Sequence, residues 1–252
     1  MKQRILITGA AGTVGTTLWQ AWEKQDKYNL TLTDINTIEG SKSRVVEADI
    51  RDFSAMNDLC ADQDVLVHLA YLRQDSPGRD PAVVNDISAS MNLFEAAREG
   101  GVKKIVYAST NHASGWNERL SSPPGFSTGD QFRPDGWYGA MKGMAEIAGR
   151  YLVDAYGMRF ISFRIGTYSG TYEPNGLRHC STLLTPRDCV QLFSLAVDYD
   201  GSVTYLITYG RSANTDGYQH SFLDISGAVE VLGYKPKDNL IKTHLHKFLQ
   251  SE

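Results

Sequence analysis

The sequence contains no unbroken run of 18 apolar residues, and its mean hydropathy is −0.31, so nothing in it reads as a membrane-spanning helix. It has only three cysteines, Cys60, Cys180 and Cys189, an odd and scattered set that excludes a disulfide-built scaffold. No charged, apolar and small-residue leader precedes the first apolar run, so a reduced, cytoplasmic chain is expected. The Asn29-Leu30-Thr31 sequon then carries no weight. Charge of one sign is also missing. There are 25 Lys and Arg against 29 Asp and Glu, a formal net charge of −4, which gives no nucleic-acid footprint. Internal repeats, low-complexity tracts and linkers are absent. What remains is 252 residues, 42% hydrophobic and 21% charged, an ordinary globular composition long enough for one large domain.

Short apolar runs alternate with longer amphipathic ones. Residues 4–8, 30–33, 44–46, 65–69, 104–108, 160–164 and 203–208 are predicted strands. Residues 12–25, 53–61, 81–100, 137–156 and 186–199 are predicted helices. Continuous Val/Ile/Leu strands between helices indicate parallel strands covered on both faces, hence an α/β doubly wound sheet. Trp19, Trp22 and Leu18 share one helix, where core packing explains them, and His68 reads as a satisfied strand-end residue. Two long irregular stretches, 111–136 and 166–185, each follow a predicted strand. Open α/β sheets bind ligands beyond the carboxyl ends of their strands, so the substrate pocket is expected between these stretches.

Gly9-Ala10-Ala11-Gly12-Thr13-Val14-Gly15 directly follows the first predicted strand and opens a helix. The first glycine permits a tight turn, the second lets backbone approach a pyrophosphate, and the third lets helix pack on strand. Asp34 ends the second strand, nineteen residues after Gly15, where a carboxylate can accept from ribose hydroxyls. It would repel a 2′-phosphate, and no arginine directly follows it, so NAD is expected rather than NADP. Asp49 and Ile50, after the third strand, are candidates to line the adenine pocket.

Tyr138 and Lys142 stand at i and i+4 of a predicted helix, which puts phenol and ammonium on one face. A free tyrosine titrates near ~10 and is a poor base at neutral pH. A neighbouring ammonium and a cationic nicotinamide both favour the phenolate, which makes a usable general base.

With this pair in place, the chain resembles the extended short-chain dehydrogenase/reductase family, the NAD-dependent epimerases and dehydratases. The resemblance is carried by Gly9, Gly12 and Gly15, by His68-Leu69-Ala70, and by Asn85 ahead of Met91-Asn92-Leu93-Phe94-Glu95-Ala96-Ala97. Ser109-Thr110, Tyr138 and Lys142 complete it, so that it spans nearly the whole chain. It implies a Rossmann-type fold with a small C-terminal substrate-binding portion, and a cofactor site formed by Gly9, Gly12, Thr13, Val14, Gly15, Asp34, Asp49, Ile50, Leu69, Ala70, Asn85 and Lys142. It further implies that Ser109 or Thr110, Thr110 being the favoured contact, hydrogen-bonds the reacting hydroxyl, and that Lys142 also holds the nicotinamide ribose. One domain over 1–252 is expected, with substrate-covering elements at about 166–185 and 209–252. Paired helices in this family often build a dimer or tetramer, which makes a homo-oligomer one expectation.

A narrower set is similar to the uronate dehydrogenases: Ser109-Thr110-Asn111-His112, Arg133-Pro134-Asp135-Gly136-Trp137-Tyr138-Gly139, Arg164-Ile165-Gly166-Thr167, Glu173-Pro174-Asn175 and Tyr234-Lys235-Pro236-Lys237-Asp238-Asn239. The resemblance implies NAD-dependent oxidation of the anomeric carbon of a free hexuronic acid or related aldose to its lactone. Asn111, His112 and Thr167 would contact the sugar, and Arg178 would hold its carboxylate with a planar fork of donors. The chain departs from that pattern in having Thr110 and Thr167 in place of serines, and Ala70-Tyr71-Leu72-Arg73 in place of a small glycine-rich run. Arg73 adds a positive charge that would suit a sugar phosphate or a second carboxylate. Three alternatives stay open: a sugar-phosphate dehydrogenase of the same subfamily, a nucleotide-sugar epimerase, dehydratase or reductase, and a non-catalytic dinucleotide sensor. Only residues 209–252 follow the last predicted strand, little for a nucleotide-sugar lobe, and a sensor would not need Tyr138, Lys142 and Ser109/Thr110 together. His179-Cys180 and His244-x-His246 lack a closed ligand set, so no metal is expected.

Overall fold

The computed structural model describes residues 2–72, 81–120, 127–129, 131–215 and 223–249. The chain begins β1 (Arg4–Thr8), α1 (Thr13–Gln25), β2 (Asn29–Asp34), β3 (Arg44–Glu47), α2 (Phe53–Cys60), β4 (Val65–His68), α3 (Pro81–Glu99) and β5 (Lys104–Thr110). After a 3-10 turn over Asn111–Ser114 come α4 (Asn117–Leu120), α5 (Trp137–Tyr156), β6 (Arg159–Ile165), α6 (Leu177–Thr182), α7 (Pro186–Asp198), β7 (Tyr205–Gly210), α8 (Ser226–Leu232) and α9 (Leu240–Leu249). The seven strands form one parallel sheet in the order β3-β2-β1-β4-β5-β6-β7. This is a doubly wound α/β fold whose order reverses between β1 and β4, where such sheets open a ligand crevice.

The chain's contacts gather into two compact units. The first draws its described residues from Met1–Ala108, Met141–Ser162 and Gly201–Tyr205. Its centre is aromatic: the Phe94 ring lies 5.7 Å from Phe160 and 6.0 Å from Tyr107 in edge-on contacts. Truncating a core ring of this kind costs ~3–5 kcal/mol. Gly149 lets α5 lie against β6, because a Cβ there would sit 2.5 Å from the Phe160 ring. Leu18, Trp19 and Trp22 are buried as expected; the Trp19 indole donates to the Ala10 carbonyl at 3.2 Å. His68 is fully buried, with Nδ1 2.8 Å from Thr8 Oγ1 and Nε2 3.2 Å from Ser90 Oγ, and burial pushes its pKa well below the usual 6.5.

The second unit takes Ser109–Ala140, Phe163–Asp200 and Leu206–Glu252. Its helix α7 starts at a Thr185 cap followed by Pro186, a preorganised N-terminus, and sets Phe193 5.0 Å from Phe163. The two stretches expected to be irregular contain α4 and α6, and the C-terminal α8 and α9 were not predicted. All three cysteines are free and buried, and burial raises the Cys60 thiol to about 12. Among the described residues, no helix is long and apolar enough to cross a membrane.

Candidate active site

Glycine geometry builds the nucleotide end, which lies within the first unit. Gly9 sits at φ +73°, and a Cβ there would lie 2.5 Å from the Ala70 amide nitrogen. Only a glycine lets the end of β1 pass this close to the chain leaving β4. At Gly15 a Cβ would lie 2.5 Å from the Gly9 carbonyl oxygen, so the third glycine presses α1 onto its own loop. Helix α1 begins at Gly12 with no side-chain cap, and its first turn, which includes Thr13 and Val14, holds no acidic residue. Uncapped amides at a helix start suit a phosphate group.

A cavity of about 620 Å³ opens beside this loop. Gly9, Gly12, Asp34, Asp49, Ile50, Leu69, Ala70 and Asn85 line it, which gathers eight of the residues expected at the cofactor. Ile35, Asn36, Arg51 and Tyr71 line it too, and sequence reasoning gave none of them a cofactor role. Asp34 Oδ2 accepts from the Ala11 amide at 3.0 Å, while Oδ1 accepts from the Asn36 amide at 2.9 Å. The carboxylate therefore braces the glycine loop from the end of β2. Arg51 donates to Asp49 at 2.5–3.0 Å, and this hydrogen bonding holds the Asp49 carboxyl below the usual carboxylate range. The uncapped helix start, the glycine cradle and the carboxylate at the end of β2 fit an NAD dinucleotide.

Lys142, on α5 in the same unit, is 2% exposed. Its Nζ lies 4.8 Å from the Tyr107 ring centroid and 5.7 Å from that of Tyr71. Burial lowers its pKa, and Asp86 and Glu146 oppose that shift. Asp86 is itself 1% exposed, accepts from the Leu72 amide at 2.7 Å, and is pushed up by burial. Neither acid was a sequence candidate. The i+4 position of Glu146 on α5 was the available signal for one; Asp86 had none beyond its place beside Asn85.

Lys142 apart, the residues expected to do the chemistry lie within the second unit. Tyr138 stands in the first turn of α5, one helical turn before Lys142, with its ring 6.1 Å from the His112 ring. Ser109 and Thr110 end β5, both buried. Thr110 Oγ1 accepts from the His112 amide at 3.2 Å and so caps the 3-10 turn. Among the described residues, Ser109 Oγ, Ser181 Oγ and both polar side-chain atoms of Asn111 are buried without a hydrogen-bond partner. Such groups are rare because each costs about 1–3 kcal/mol, and Ser109 and Asn111, two positions apart at the end of β5, leave three such atoms for a polar ligand to complete. Ser181, which sequence reasoning did not single out, follows Arg178 by three positions on α6.

Arg178 grips Glu118 in a bidentate pair, with Nε 2.8 Å from Oε1 and Nη2 2.9 Å from Oε2. Sequence reasoning had assigned its fork to a sugar carboxylate and had not seen Glu118. Thr167 Oγ1 lies 2.8 Å from Thr182 Oγ1, which donates to the Arg178 carbonyl at 3.0 Å. The two irregular stretches are thus joined through α4 and α6. Arg73 falls outside the described residues.

The chain matches the NAD dependent epimerase/dehydratase family over residues 5–187. It is 31% identical to an NAD-dependent glucose-6-phosphate dehydrogenase of Haloferax volcanii, over 95% of both chains. It is 34% identical to a uronate dehydrogenase of Agrobacterium fabrum, over 94% of this chain and 85% of that one. The crystal structure of a glucuronic acid dehydrogenase from Chromohalobacter salexigens superposes with a TM-score of 0.87 at 28% identity, covering 100% of this chain and 90% of that one. By the extent of this match and the glycine cradle described above, the protein belongs to the NAD-dependent epimerase/dehydratase family.

Proposed function

We propose that the protein oxidises the anomeric carbon of a small free sugar, a hexuronic acid or related aldose, to its lactone. The observation that carries this reading is the Tyr138–Lys142 spacing on α5, with the lysine buried and Tyr138 packed beside His112. The cofactor, held by the glycine loop and Asp34, supplies the acceptor for the hydride leaving C1. Tyr138, as phenolate, takes the proton of the C1 hydroxyl and later releases it to solvent. Lys142 stabilises the phenolate by charge and holds the nicotinamide ribose. Ser109 and Thr110 orient the reacting oxygen, and Asn111, His112 and Thr167 hydrogen-bond the sugar hydroxyls. Arg178, oriented by Glu118, attracts a sugar carboxylate. Electrons and protons balance, since C1 gives up a hydride and its hydroxyl a proton as the ring carbon becomes a lactone carbonyl.

The reading takes the chain as one NAD-binding domain with substrate-covering elements at about 166–185 and 209–252; β5, β6 and β7 each contribute residues to both units. Three buried free thiols support a reduced, cytoplasmic setting. An exposed apolar stripe on α5, Met144, Ile147 and Tyr151, supports a homo-oligomer. Sedimentation at micromolar concentration is expected to give a mass above that of one chain, and a monomer would remove that element.

Cofactor reduction measured with galacturonate, glucuronate, glucose and glucose 6-phosphate tests the activity. Turnover of at least one is expected, and silence on every aldose would sink the reading. Similarity to a glucose-6-phosphate dehydrogenase makes a sugar phosphate the second reading, favoured if glucose 6-phosphate gives the highest kcat/KM. Arg178→Ala is expected to raise KM for an acidic sugar about 30-fold, the worth of ~2 kcal/mol in a charged hydrogen bond, and to leave a neutral sugar nearly unchanged. Equal KM changes for both sugars would assign Arg178 to structure alone.

A further inference from the structure

We propose that Asp135 is a positioning residue that fixes the tautomer and ring plane of His112 beside Tyr138. The proposal rests on the sugar-oxidation reading and adds to it a group that orients one of its substrate contacts. Both Asp135 carboxylate oxygens lie close to His112 Nδ1, at 3.0 and 2.9 Å. A carboxylate has no proton to give, so Nδ1–H is the donor. In the neutral imidazole the lone pair then resides on Nε2, and that nitrogen can only accept. The imidazole side chain is 45% exposed and the carboxylate 21%, so the ring is the more open of the two and the acid the more enclosed.

The surrounding backbone is built to keep this pair in place. Arg133 N donates to the Ala113 carbonyl at 3.2 Å, Asp135 N to the His112 carbonyl at 3.3 Å, and Trp116 N to the Arg133 carbonyl at 2.9 Å. Two glycines make the approach possible. A Cβ at Gly115 would lie 2.2 Å from Asp135 Oδ2, and one at Gly139 would lie 2.1 Å from the His112 carbonyl oxygen. Neither has a positive φ, so what these positions require is space and not an unusual backbone conformation. Gly139 also follows Tyr138 directly, so the same clearance that seats His112 seats the tyrosine. The Thr110 hydroxyl accepting the His112 amide completes the frame. Asp135, His112 and Tyr138 are thereby held in one packed group.

The consequence is directional. With Nε2 an obligatory acceptor, His112 pairs with a sugar hydroxyl that donates, the polarity suited to a hydroxyl next to the reacting carbon. An asparagine in place of Asp135 can donate to Nδ1, releasing the other tautomer and presenting an N–H where a lone pair is needed. A purely structural clamp would not require His112 to hold one tautomer.

The test is a double-mutant cycle on kcat/KM for the best aldose, combined with nitrogen-15 spectra of histidine-labelled protein in which H112A identifies the signal. D135N is expected to lower kcat/KM about tenfold or more while leaving the NAD dissociation constant unchanged. In an H112A background the same change is expected to cost less than twofold. The wild-type spectrum is expected to show His112 protonated at Nδ1, and D135N a mixture. Equal costs in both backgrounds, a D135N enzyme with wild-type kcat/KM, or a wild-type His112 protonated at Nε2 would each overturn the proposal. The spectrum needs no turnover, so it decides the tautomer even if D135N folds poorly. A wild type inactive on every aldose refutes the sugar-oxidation reading instead.

Discussion

Tyr138→Phe is expected to lower kcat by about 10²–10⁴, the range a positioned general base contributes, with the NAD dissociation constant unchanged. The substitution keeps the ring and its packing 6.1 Å from His112, and removes only the oxygen that takes the proton. Tyr138 lies in the first turn of α5, where Gly139 brings the helix against the His112 carbonyl. Loss of the hydroxyl therefore removes chemistry without opening a cavity in the core. The loss should fall on kcat more than KM, because an interaction made in the transition state is deleted. Steady-state kinetics with equilibrium NAD titration checks both halves. Wild-type turnover in the variant would assign the base to another residue, whatever the substrate proves to be.

What could be read in advance follows the range of the interaction. The glycine loop is local, and Gly9 and Gly15 occupy the positions where a Cβ would strike backbone at 2.5 Å. Helix α5 was legible to both ends, Trp137 and Tyr156, because its amphipathic pattern runs unbroken for 20 residues. Strand β5 was cut short at Ala108, since Ser109 and Thr110 look polar, yet both are buried in the strand end. The expected adenine-pocket acid Asp49 has its partner Arg51 only two residues on, a pairing local enough to have been read. Helix α9 was also readable: Asn239 Oδ1 accepts from the Lys242 amide as an N-cap, and Leu240, Ile241, Leu245, Phe248 and Leu249 keep helical spacing. Helices α4 and α6 were not, being four and six residues long and too short for periodicity to register. The decisive pairings are long-range. Glu118 meets Arg178 across 60 residues and Asp135 meets His112 across 23, distances at which no helical or strand period links two side chains. The result bears on Arg178, whose fork carries an in-chain carboxylate that no local pattern foretells.

The largest combined effect is expected from Lys142→Met, because the same ammonium serves chemistry and stability. Burial lowers its pKa and Asp86 and Glu146 raise it, so those acids favour the charged form in a dry site. Deleting it should cost about 10²-fold or more in kcat, as the phenolate loses its neighbouring cation, and weaken NAD binding. It should also lower stability, because the 1% exposed Asp86 carboxylate loses the charge of Lys142 that favours its ionised form. The pH dependence has a definite sign. The Asp86 pKa, already raised by burial, rises further without Lys142, whose charge opposes that rise. A folded-state pKa above the unfolded one favours folding below the unfolded value and loses that benefit as pH rises. Urea unfolding should therefore find Lys142→Met least impaired in acid and most impaired at neutral pH and above. Adding Asp86→Asn, which retains a carbonyl oxygen for the Leu72 amide, should restore much of the stability and none of the activity. Asp86→Asn alone removes a group that raises the Lys142 pKa, so the alkaline limb of its kcat profile should move to lower pH. An alkaline limb that stays where the wild type has it would show that Asp86 does not govern the lysine proton. A double variant as unstable as Lys142→Met would place the cost in lost packing against Tyr107 and Tyr71 and not in an uncompensated charge.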